Sequence, residues 1–227
     1  MCLILVAWRC HDEYPLVVAA NRDEFHSRPS APAAFWRDDA QLLAGRDLEG
    51  KGTWLGVTRS GRFAAVTNYR GAHDPKALES RGLLTKRFLE DGAAPQDYIA
   101  GVAARGAAYS GFNLLAADRR ELWWYSNRGG EARPLAPGIY GLGNELLDSD
   151  DVAQAKERLA ATLTPSPAIE SLFVALAPSR LVNGPYGTRC STVILTATQG
   201  RWRFVERSFD AGGQELATVH FEFSSGS

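Results

Sequence analysis

The chain has 227 residues, of which 45% are hydrophobic and 22% are charged, as is typical of a globular protein. Its 25 Lys and Arg residues nearly balance its 26 Asp and Glu residues, so no charge excess favours nucleic acid or an anionic membrane as a partner. No apolar run reaches the length of a transmembrane helix, and residues 3–8 are too few for a signal peptide and lack its basic flank. The sequence therefore predicts a cytoplasmic protein with one domain, residues 1–227, no nucleic-acid partner and no stable membrane insertion.

The cysteines do not indicate a disulfide framework. Cys2, Cys10 and Cys190 cannot all pair, which fits a reducing compartment. Cys10-His11 taken with Cys2 matches no zinc spacing, and no CxxCH haem-attachment motif is present. We therefore predict no metal site and no required cofactor.

Apolar periodicity predicts a chain that mixes strands with two pairs of helices. The predicted strands cover residues 2–9, 14–20, 53–59, 62–68, 111–117, 121–126, 191–198, 201–208 and 217–223. Turns at Ser60-Gly61 and Gln199-Gly200 predict antiparallel hairpins. The predicted helices cover residues 80–90, 95–108, 150–162 and 166–175, the last with Ser166 as N-cap and Pro167 at its first position. Two antiparallel sheets and two helix pairs predict a layered α+β domain.

Cys2 is the strongest functional candidate. Methionine before a small residue is normally removed, which would leave a thiol and a free α-amine on one residue. An α-amine has a pKa of roughly 7.7–8, so near neutral pH it can accept the proton of the thiol. The alternative is that Cys2 is a small apolar residue that begins a buried strand.

The first hairpin supplies charged neighbours for this thiol. If residues 2–9 pair with 14–20 around a turn near residue 12, Cys2 lies opposite Arg22, and residues 21–24 lie beside it. A cation lowers the pKa of a nearby thiol, and a carboxylate orients a free amine. These roles suit Arg22 and Asp23, with Asn21 as a ligand-binding neighbour. The alternative is a solvated charged turn.

A second hairpin presents a similar polar strand end. A turn at Ser60-Gly61 places Thr53 opposite Asn68, and Asn68, Tyr69 and Arg70 then lie together. Asn68 or Tyr69 can donate a hydrogen bond to a developing oxyanion, and Arg70 can hold an acidic group of a ligand. We predict these three as ligand-binding residues.

A series of short motifs over nearly the whole chain resembles the NRDE family, also called the transport-and-Golgi-organization 2 family. The motifs are Met1-Cys2, residues 20–24, Gly52-Thr53-Trp54-Leu55-Gly56-Val57, residues 67–70, residues 80–82, residues 111–115, Tyr140-Gly141-Leu142-Gly143-Asn144 and residues 186–193. The resemblance implies an N-terminal nucleophile (Ntn) hydrolase-like fold, a four-layer αββα sandwich of two antiparallel sheets. Lys51 stands where the family usually has glycine.

Cysteine hydrolases of that superfamily imply a set of catalytic residues here. The matching candidates are Cys2, Arg22, Asp23, Asn144 for the oxyanion, and Arg189. Those hydrolases separate the arginine from the aspartate by two residues, whereas Arg22 and Asp23 are adjacent, so Arg22 could face away from the thiol. For Asn144 the alternative is a turn capped by its side chain, and for Arg189 it is an exposed strand entrance.

Two functions follow from the resemblance. The first is an N-terminal-cysteine amidohydrolase that acts on a linear acyl amide through an acyl-Cys2 intermediate. The second is a non-enzymatic protein for intracellular haem trafficking, or for binding acyl-coenzyme A or a lipid-like ligand. In either case the partner is a small apolar or acyl molecule, and haem as a bound ligand would take an axial ligand such as Cys2, Tyr69 or a histidine.

Overall fold

The structure is a computed structural model that describes residues 2–74 and 77–226. In chain order the strands are β1 (Leu3–Trp8), β2 (Leu16–Phe25), β3 (Ser30–Phe35), β4 (Leu42–Asp47), β5 (Leu55–Thr58), β6 (Phe63–Asn68), β7 (Phe112–Ala117), β8 (Leu122–Ser126), β9 (Arg133–Pro134), β10 (Gly138–Leu142), β11 (Val182–Asn183), β12 (Tyr186–Thr196), β13 (Arg201–Phe209) and β14 (Glu215–Ser224). The α-helices are α1 (Gly82–Glu90), α2 (Pro95–Ala104), α3 (Ala153–Thr162) and α4 (Ile169–Leu176).

The chain forms two compact units. The first comprises the chain up to Arg28, Pro137–Gly143 and Leu147–Ser224, and the second comprises Pro29–Ala136, Asn144–Leu146 and the residues after Ser224.

The first unit is an antiparallel sheet with α3 and α4 on one face. Its strand order is β10-β1-β2-β12-β13-β14, and β11 pairs with β12. Alternate residues of the central strands, including Leu5, Val17 and Val193, pack against Leu159 of α3 and Leu172 of α4. Full burial of such a side chain contributes about 1.5–3 kcal/mol, so this cluster fixes the helix pair to its sheet.

The second unit repeats this plan with different strands. Its sheet runs β3-β4-β5-β6-β7-β8-β9, and α1 and α2 pack on one face. Leu84 and Phe88 of α1 and Ile99 of α2 join Ala64 and Leu114 in a buried cluster. Phe88 and Leu114 are fully buried, as expected for side chains that hold a helix pair against a sheet.

The predicted helices all overlap helices in the structure, but their ends differ. Residues 106–108 and 150–152 form short 3-10 turns beside α2 and α3. The predicted N-cap at Ser166 is wrong, because α4 has Ala168 as its N-cap, in an extended conformation and without a side-chain cap bond. Helix α4 begins where Ile169 can pack in the core, so tertiary packing overrides the local capping signal. Within the described ranges, no helix is both long and apolar enough to cross a bilayer.

Sequence patterning missed strands that lack a continuous apolar run. β3 contains Pro32, lies at the edge of its sheet and has a register shift between Ala31 and Ala34. β10 contains two glycines. At Gly141 an added Cβ would lie 2.7 Å from a side-chain carbon of Val152, so close approach of the following segment requires glycine there.

Candidate functional site

The first hairpin brings Cys2 to the end of β2. β1 and β2 pair with Leu3 opposite Asn21, which is the register predicted from the sequence. The next position places Cys2 beside Arg22. The Cys2 thiol donates to the carbonyl oxygen of Asp23 and accepts from its backbone N–H, and both distances are 3.4 Å. The thiol therefore lies where the prediction put it, against the charged end of β2.

The environment of the Cys2 thiol favours its neutral form. Burial raises the pKa of this thiol, and the negative charge of Asp23 raises it further. The hydrogen bond from the Asp23 N–H and the positive charge of Arg22 act in the opposite direction but do not reverse the shift. A nucleophilic Cys2 therefore needs a base. The predicted base is the α-amine freed by removal of Met1, a residue that lies outside the described part of the chain.

Asp23 is buried and is bound by two hydroxyl groups. Its Oδ1 accepts a hydrogen bond from Thr188 Oγ1 at 2.6 Å, and its carbonyl oxygen accepts one from the Tyr186 hydroxyl at 3.4 Å. Burial, together with the charges of Cys2 and Asp23, raises the pKa of Tyr186 to about 12. Tyr186 therefore stays protonated and remains a donor. These contacts hold Asp23 in place. Its backbone binds the Cys2 thiol, and its carboxylate places a negative charge nearby.

Arg22 acts on the thiol despite its adjacency to Asp23. Its side chain is only 10% exposed, and its Nη2 lies 3.7 Å from Glu24 Oε2. The same carboxylate oxygen lies 3.8 Å from Nε of Arg28. Residues directly opposite on antiparallel strands share a face, so Arg22 and Cys2 lie on one side of the hairpin. The positive charge of Arg22 lowers the pKa of Cys2 within the net upward shift, which is the direction that nucleophilic chemistry requires.

Arg189 supports the end of β2. Its Nη1 donates to the carbonyl oxygens of Phe25 at 2.8 Å and Arg28 at 3.1 Å. Burial and the neighbouring charge of Arg22 lower the pKa of Arg189. The guanidinium therefore closes the turn after β2, and its predicted catalytic role stays a prediction.

The side chain of Asn21 is held inside the protein by hydrogen bonds. It is fully buried, its Nδ2 donates to the carbonyl oxygen of Leu176, and its Oδ1 accepts from the Ser191 hydroxyl at 2.7 Å. Both ends of the amide therefore bond to the protein, and the predicted ligand-binding role of Asn21 stays a prediction. Successive residues of a strand face opposite sides, so Asn21 faces α4 while Arg22 faces away from it.

The second hairpin has a different register from the one predicted. β5 and β6 pair with Leu55 opposite Ala65, so Thr53 does not lie opposite Asn68. The loop has three residues, not two, because Thr58 and Arg62 close it, with Gly61 at φ +89°. A three-residue loop that ends in a left-handed glycine is a common hairpin form, and its extra residue shifts the pairing by one.

The predicted ligand-binding residues at the end of β6, from Asn68 to Arg70, are nevertheless brought together with Asn144. Asn144 Nδ2 donates to the carbonyl oxygen of Asn68 at 2.7 Å, and the N–H of Arg70 donates to the carbonyl oxygen of Asn144 at 2.7 Å. Arg70 also forms an ion pair with Glu145 at 3.4 Å, and Tyr69 donates its backbone N–H to Gly111. A primary amide has two N–H groups, so the bond to Asn68 orients the Asn144 amide and leaves a second donor on the same nitrogen.

Sequence reasoning assigned no role to Asn113 or Thr188, although both lie within the family motifs. Asn113 is fully buried, and its Nδ2 donates to the carbonyl oxygen of Glu145 at 2.8 Å and to Thr67 Oγ1 at 3.2 Å. It therefore holds the residue next to Asn144. The available signal was a polar residue inside an apolar strand, since a buried polar group normally has a bonding role.

No metal centre is found in residues 2–74 and 77–226, where no group of three or more His, Cys, Asp or Glu side chains could hold an ion. Haem would need an axial ligand, and cysteine serves haem as a thiolate. A metal ion deprotonates the thiol that coordinates it, so Cys2 stays a predicted axial ligand beside Tyr69 and the histidines.

Comparison with known families gives a match over most of the chain. A family model described as Transport and Golgi organisation 2 (TANGO2) matches residues 1–172. The chain is 36% identical to the Transport and Golgi organization protein 2 homolog of Bos taurus, over 93% of this chain and 94% of that protein, and equally similar to the Homo sapiens protein of that name. It is 30% identical to the Drosophila melanogaster Transport and Golgi organization protein 2 over 46% of this chain and 40% of that protein.

Comparison with solved structures shows the fold. An N-acylethanolamine-hydrolyzing acid amidase ortholog of Caenorhabditis elegans matches with a TM-score of 0.57 at 12% identity, over 86% of this chain and 92% of that chain. A conjugated bile acid hydrolase of Clostridium perfringens matches with a TM-score of 0.58 at 8% identity, over 99% of this chain and 98% of that chain. These likenesses confirm the predicted Ntn-hydrolase-like fold, which in residues 2–74 and 77–226 has two antiparallel sheets and four α-helices.

Proposed function

This chain belongs to the Transport and Golgi organisation 2 family, and from that premise we propose that it is an N-terminal-cysteine amidohydrolase that acts on a linear acyl amide. The observation that carries the proposal is the contact of Cys2 Sγ with both backbone polar groups of Asp23 at 3.4 Å, beside the charge of Arg22. The names of the two structural neighbours, an N-acylethanolamine-hydrolyzing acid amidase and a conjugated bile acid hydrolase, support an amide as the substrate class. Fold alone does not assign activity.

The proposed reaction begins with the chain that starts at Cys2. The α-amine accepts the thiol proton, and the sulfur forms a bond to the carbonyl carbon of the amide while the carbonyl π electrons move to oxygen. We assign stabilisation of this oxyanion to the Asn144 amide, with Asn68 as a second donor. When the oxyanion collapses, the C–N bond breaks and the α-ammonium gives its proton to the leaving amine.

The second half of the proposed reaction releases the acyl group. The α-amine removes a proton from water, and the resulting hydroxide adds to the carbonyl carbon of the acyl-Cys2 thioester. Collapse of this second oxyanion breaks the C–S bond, and the sulfur takes the proton back from the α-ammonium. One water is consumed, and one carboxylic acid and one amine are formed. Asp23 orients the α-amine, and Arg22 stabilises the negative charge on sulfur.

A second candidate function is binding without hydrolysis. The observation that favours it is the raised pKa of Cys2, because a protein that only binds an acyl-coenzyme A or a lipid-like ligand needs no thiolate. In this alternative, Met1 can be retained, and the ligand is held by apolar contacts and by polar residues such as Tyr69 and Arg70. A bound haem would take its axial ligand from Cys2, Tyr69 or a histidine.

One experiment separates these functions. Wild type, Cys2→Ala and the control Cys10→Ala are incubated with acyl amides, acyl-coenzyme A and haem, and covalent adducts and released products are measured by mass spectrometry. We expect an acyl adduct and turnover in wild type and Cys10→Ala but neither in Cys2→Ala. Tight binding of haem or acyl-coenzyme A, with no adduct from any amide in the chain that lacks Met1, would make the binding function the better account.

A further inference from the structure

A buried hydroxyl group holds the carboxylate of Asp23. Thr188 is 2% exposed and Asp23 is 4% exposed. Thr188 Oγ1 lies 2.6 Å from Asp23 Oδ1 and 2.8 Å from the backbone nitrogen of Leu181. The backbone N–H of Thr188 also donates to the carbonyl oxygen of Leu181 at 2.8 Å. The backbone and the side chain of Thr188 therefore both bond to Leu181, and they join the two ends of the segment from Leu181 to Thr188.

These contacts fix the direction of the Thr188 hydroxyl. A threonine hydroxyl has one proton to donate and can accept through its lone pairs. The Leu181 N–H can only donate, so it occupies the acceptor side of Oγ1. The carboxylate of Asp23 can accept the remaining proton, and hydrogen bonds to a charged acceptor are short and strong. The 2.6 Å distance fits this arrangement.

An irregularity in β12 places Thr188, and not an arginine, opposite Asp23. Cys190 lies opposite Arg22 and Thr188 lies opposite Asp23, with a register shift that leaves Arg189 out of the pairing. Continued regular pairing from Cys190 would put Arg189 opposite Asp23. An arginine there would pair with the carboxylate and neutralise it. The β-bulge replaces that cation with a neutral donor, and the Arg189 guanidinium binds backbone carbonyls instead.

We infer that Thr188 is a positioning residue for Asp23: its hydroxyl holds the orientation of the carboxylate while leaving its charge in place to orient the α-amine of Cys2. This inference rests on the proposed function, in which the α-amine is the base. The segment that carries Thr188 also carries Tyr186, whose hydroxyl binds the carbonyl oxygen of Asp23 at 3.4 Å. The same carbonyl accepts from the Cys2 thiol. One hairpin thus holds both the side chain and the backbone of Asp23 beside the nucleophile.

The test compares Thr188→Val, which keeps the shape of the side chain but not the hydroxyl, with Thr188→Ser, which keeps the hydroxyl. Thr196→Val is the matched control, because Thr196 is a buried threonine of the same strand whose hydroxyl accepts from the Leu16 N–H. The full-length chains are first shown by mass spectrometry to lack Met1. The rate of Cys2 alkylation by iodoacetamide is then measured against pH, together with turnover of an acyl amide.

We expect alkylation of Thr188→Val near neutral pH to be slower by about 10- to 100-fold, the effect of losing a hydrogen bond to a charged group, with its pH profile displaced to higher pH. Thr188→Ser should stay within about threefold of wild type, and Thr196→Val should keep the wild-type profile. A Thr188→Val profile identical to that of Thr196→Val would overturn the inference and leave Thr188 a packing residue.

A variant that fails to fold does not end the test, because Thr188→Ser and Thr188→Ala differ only in the hydroxyl oxygen and give the same comparison. Failure of the proposed function has a separate signature. If no amide acylates wild-type Cys2 but loss of the Thr188 hydroxyl still displaces the alkylation profile, the hydrolase proposal fails and the positioning role stands. If wild type is acylated and the profile does not depend on the hydroxyl, only the positioning role fails.

Discussion

The surroundings of Cys2 in the first unit and those of Asn144 in the second are built by different means. Cys2 is placed by the register of two strands that follow each other in the chain, with Leu3 opposite Asn21. Asn144 lies outside any strand, and hydrogen bonds to Asn68 and Arg70 at the end of β6 hold it. The position of the thiol therefore depends on pairing between strands that are close in sequence. The position of the Asn144 amide depends on contacts between segments that are distant in sequence.

The largest effect should come from the residue that precedes the thiol. A chain that retains Met1 has its Cys2 nitrogen in a peptide bond, so the nitrogen cannot accept the thiol proton. Because burial raises the pKa of the Cys2 thiol, we expect this chain to show no acylation and to reach its full alkylation rate only at alkaline pH. The chain that begins at Cys2 should react at lower pH.

Intact-mass analysis of the two forms, followed by alkylation at several pH values, checks this prediction. Identical profiles for the two forms would show that the α-amine does not act on the thiol. The reactivity of Cys2 would then depend only on its neighbours in the first hairpin.

The next largest effect should come from the amide region. Asn144→Ala removes the N–H group assigned to the oxyanion, and turnover of an acyl amide should fall by roughly 10²–10³-fold, the loss seen when one such donor is deleted. Alkylation of Cys2 should be unchanged, since the thiol contacts Asp23. Asn144→Asp, which keeps the shape but lacks the N–H donors, should lose turnover to a similar extent. Slower alkylation in both variants would contradict the separate construction of the two regions.

A smaller effect is expected at the buried support of that region. Asn113→Ala removes the bonds to the Glu145 carbonyl and to Thr67, and an unsatisfied buried partner costs about 1–3 kcal/mol. We expect a loss of this size in the free energy of unfolding, measured with urea, and a lower kcat. Thr67→Val removes only one of the two bonds and should retain more turnover. Equal kcat values for the two variants would show that the bond to Glu145 does not support Asn144.

The sequence predicted the fold class and the first hairpin because their signals are local. Apolar patterning defines the central strands and the helices, and the short connection between β1 and β2 sets the register that places Leu3 opposite Asn21. The register of the second hairpin was wrong because one additional loop residue carries no apolar signal. Asn68 and Arg70, at the polar end of this hairpin, still bond to Asn144. They stay together because they are close in the chain.

Two contacts of the candidate site were not predictable from one sequence. The bond between Thr188 and Asp23 requires a β-bulge at Arg189, and a single-residue irregularity leaves no periodic pattern. The bond between Asn113 and Glu145 joins a strand to a loop. Its existence depends on how the second unit folds, not on propensity at either position. Family motifs marked both segments without indicating which partner each side chain binds.

The smallest predicted effect tests whether Arg22 acts on the thiol across the first hairpin. Its positive charge lowers the pKa of Cys2 against the larger effect of burial. Arg22→Gln should therefore raise that pKa, so alkylation at a fixed neutral pH should slow and the whole profile should move to higher pH. Arg28→Gln is the matched control, because Arg28 meets the same Glu24 carboxylate oxygen at nearly the same distance, 3.8 Å against 3.7 Å. An equal shift in both variants would mean that the thiol responds to the general positive charge near Glu24, and the local pairing of Cys2 with Arg22 would no longer explain its reactivity.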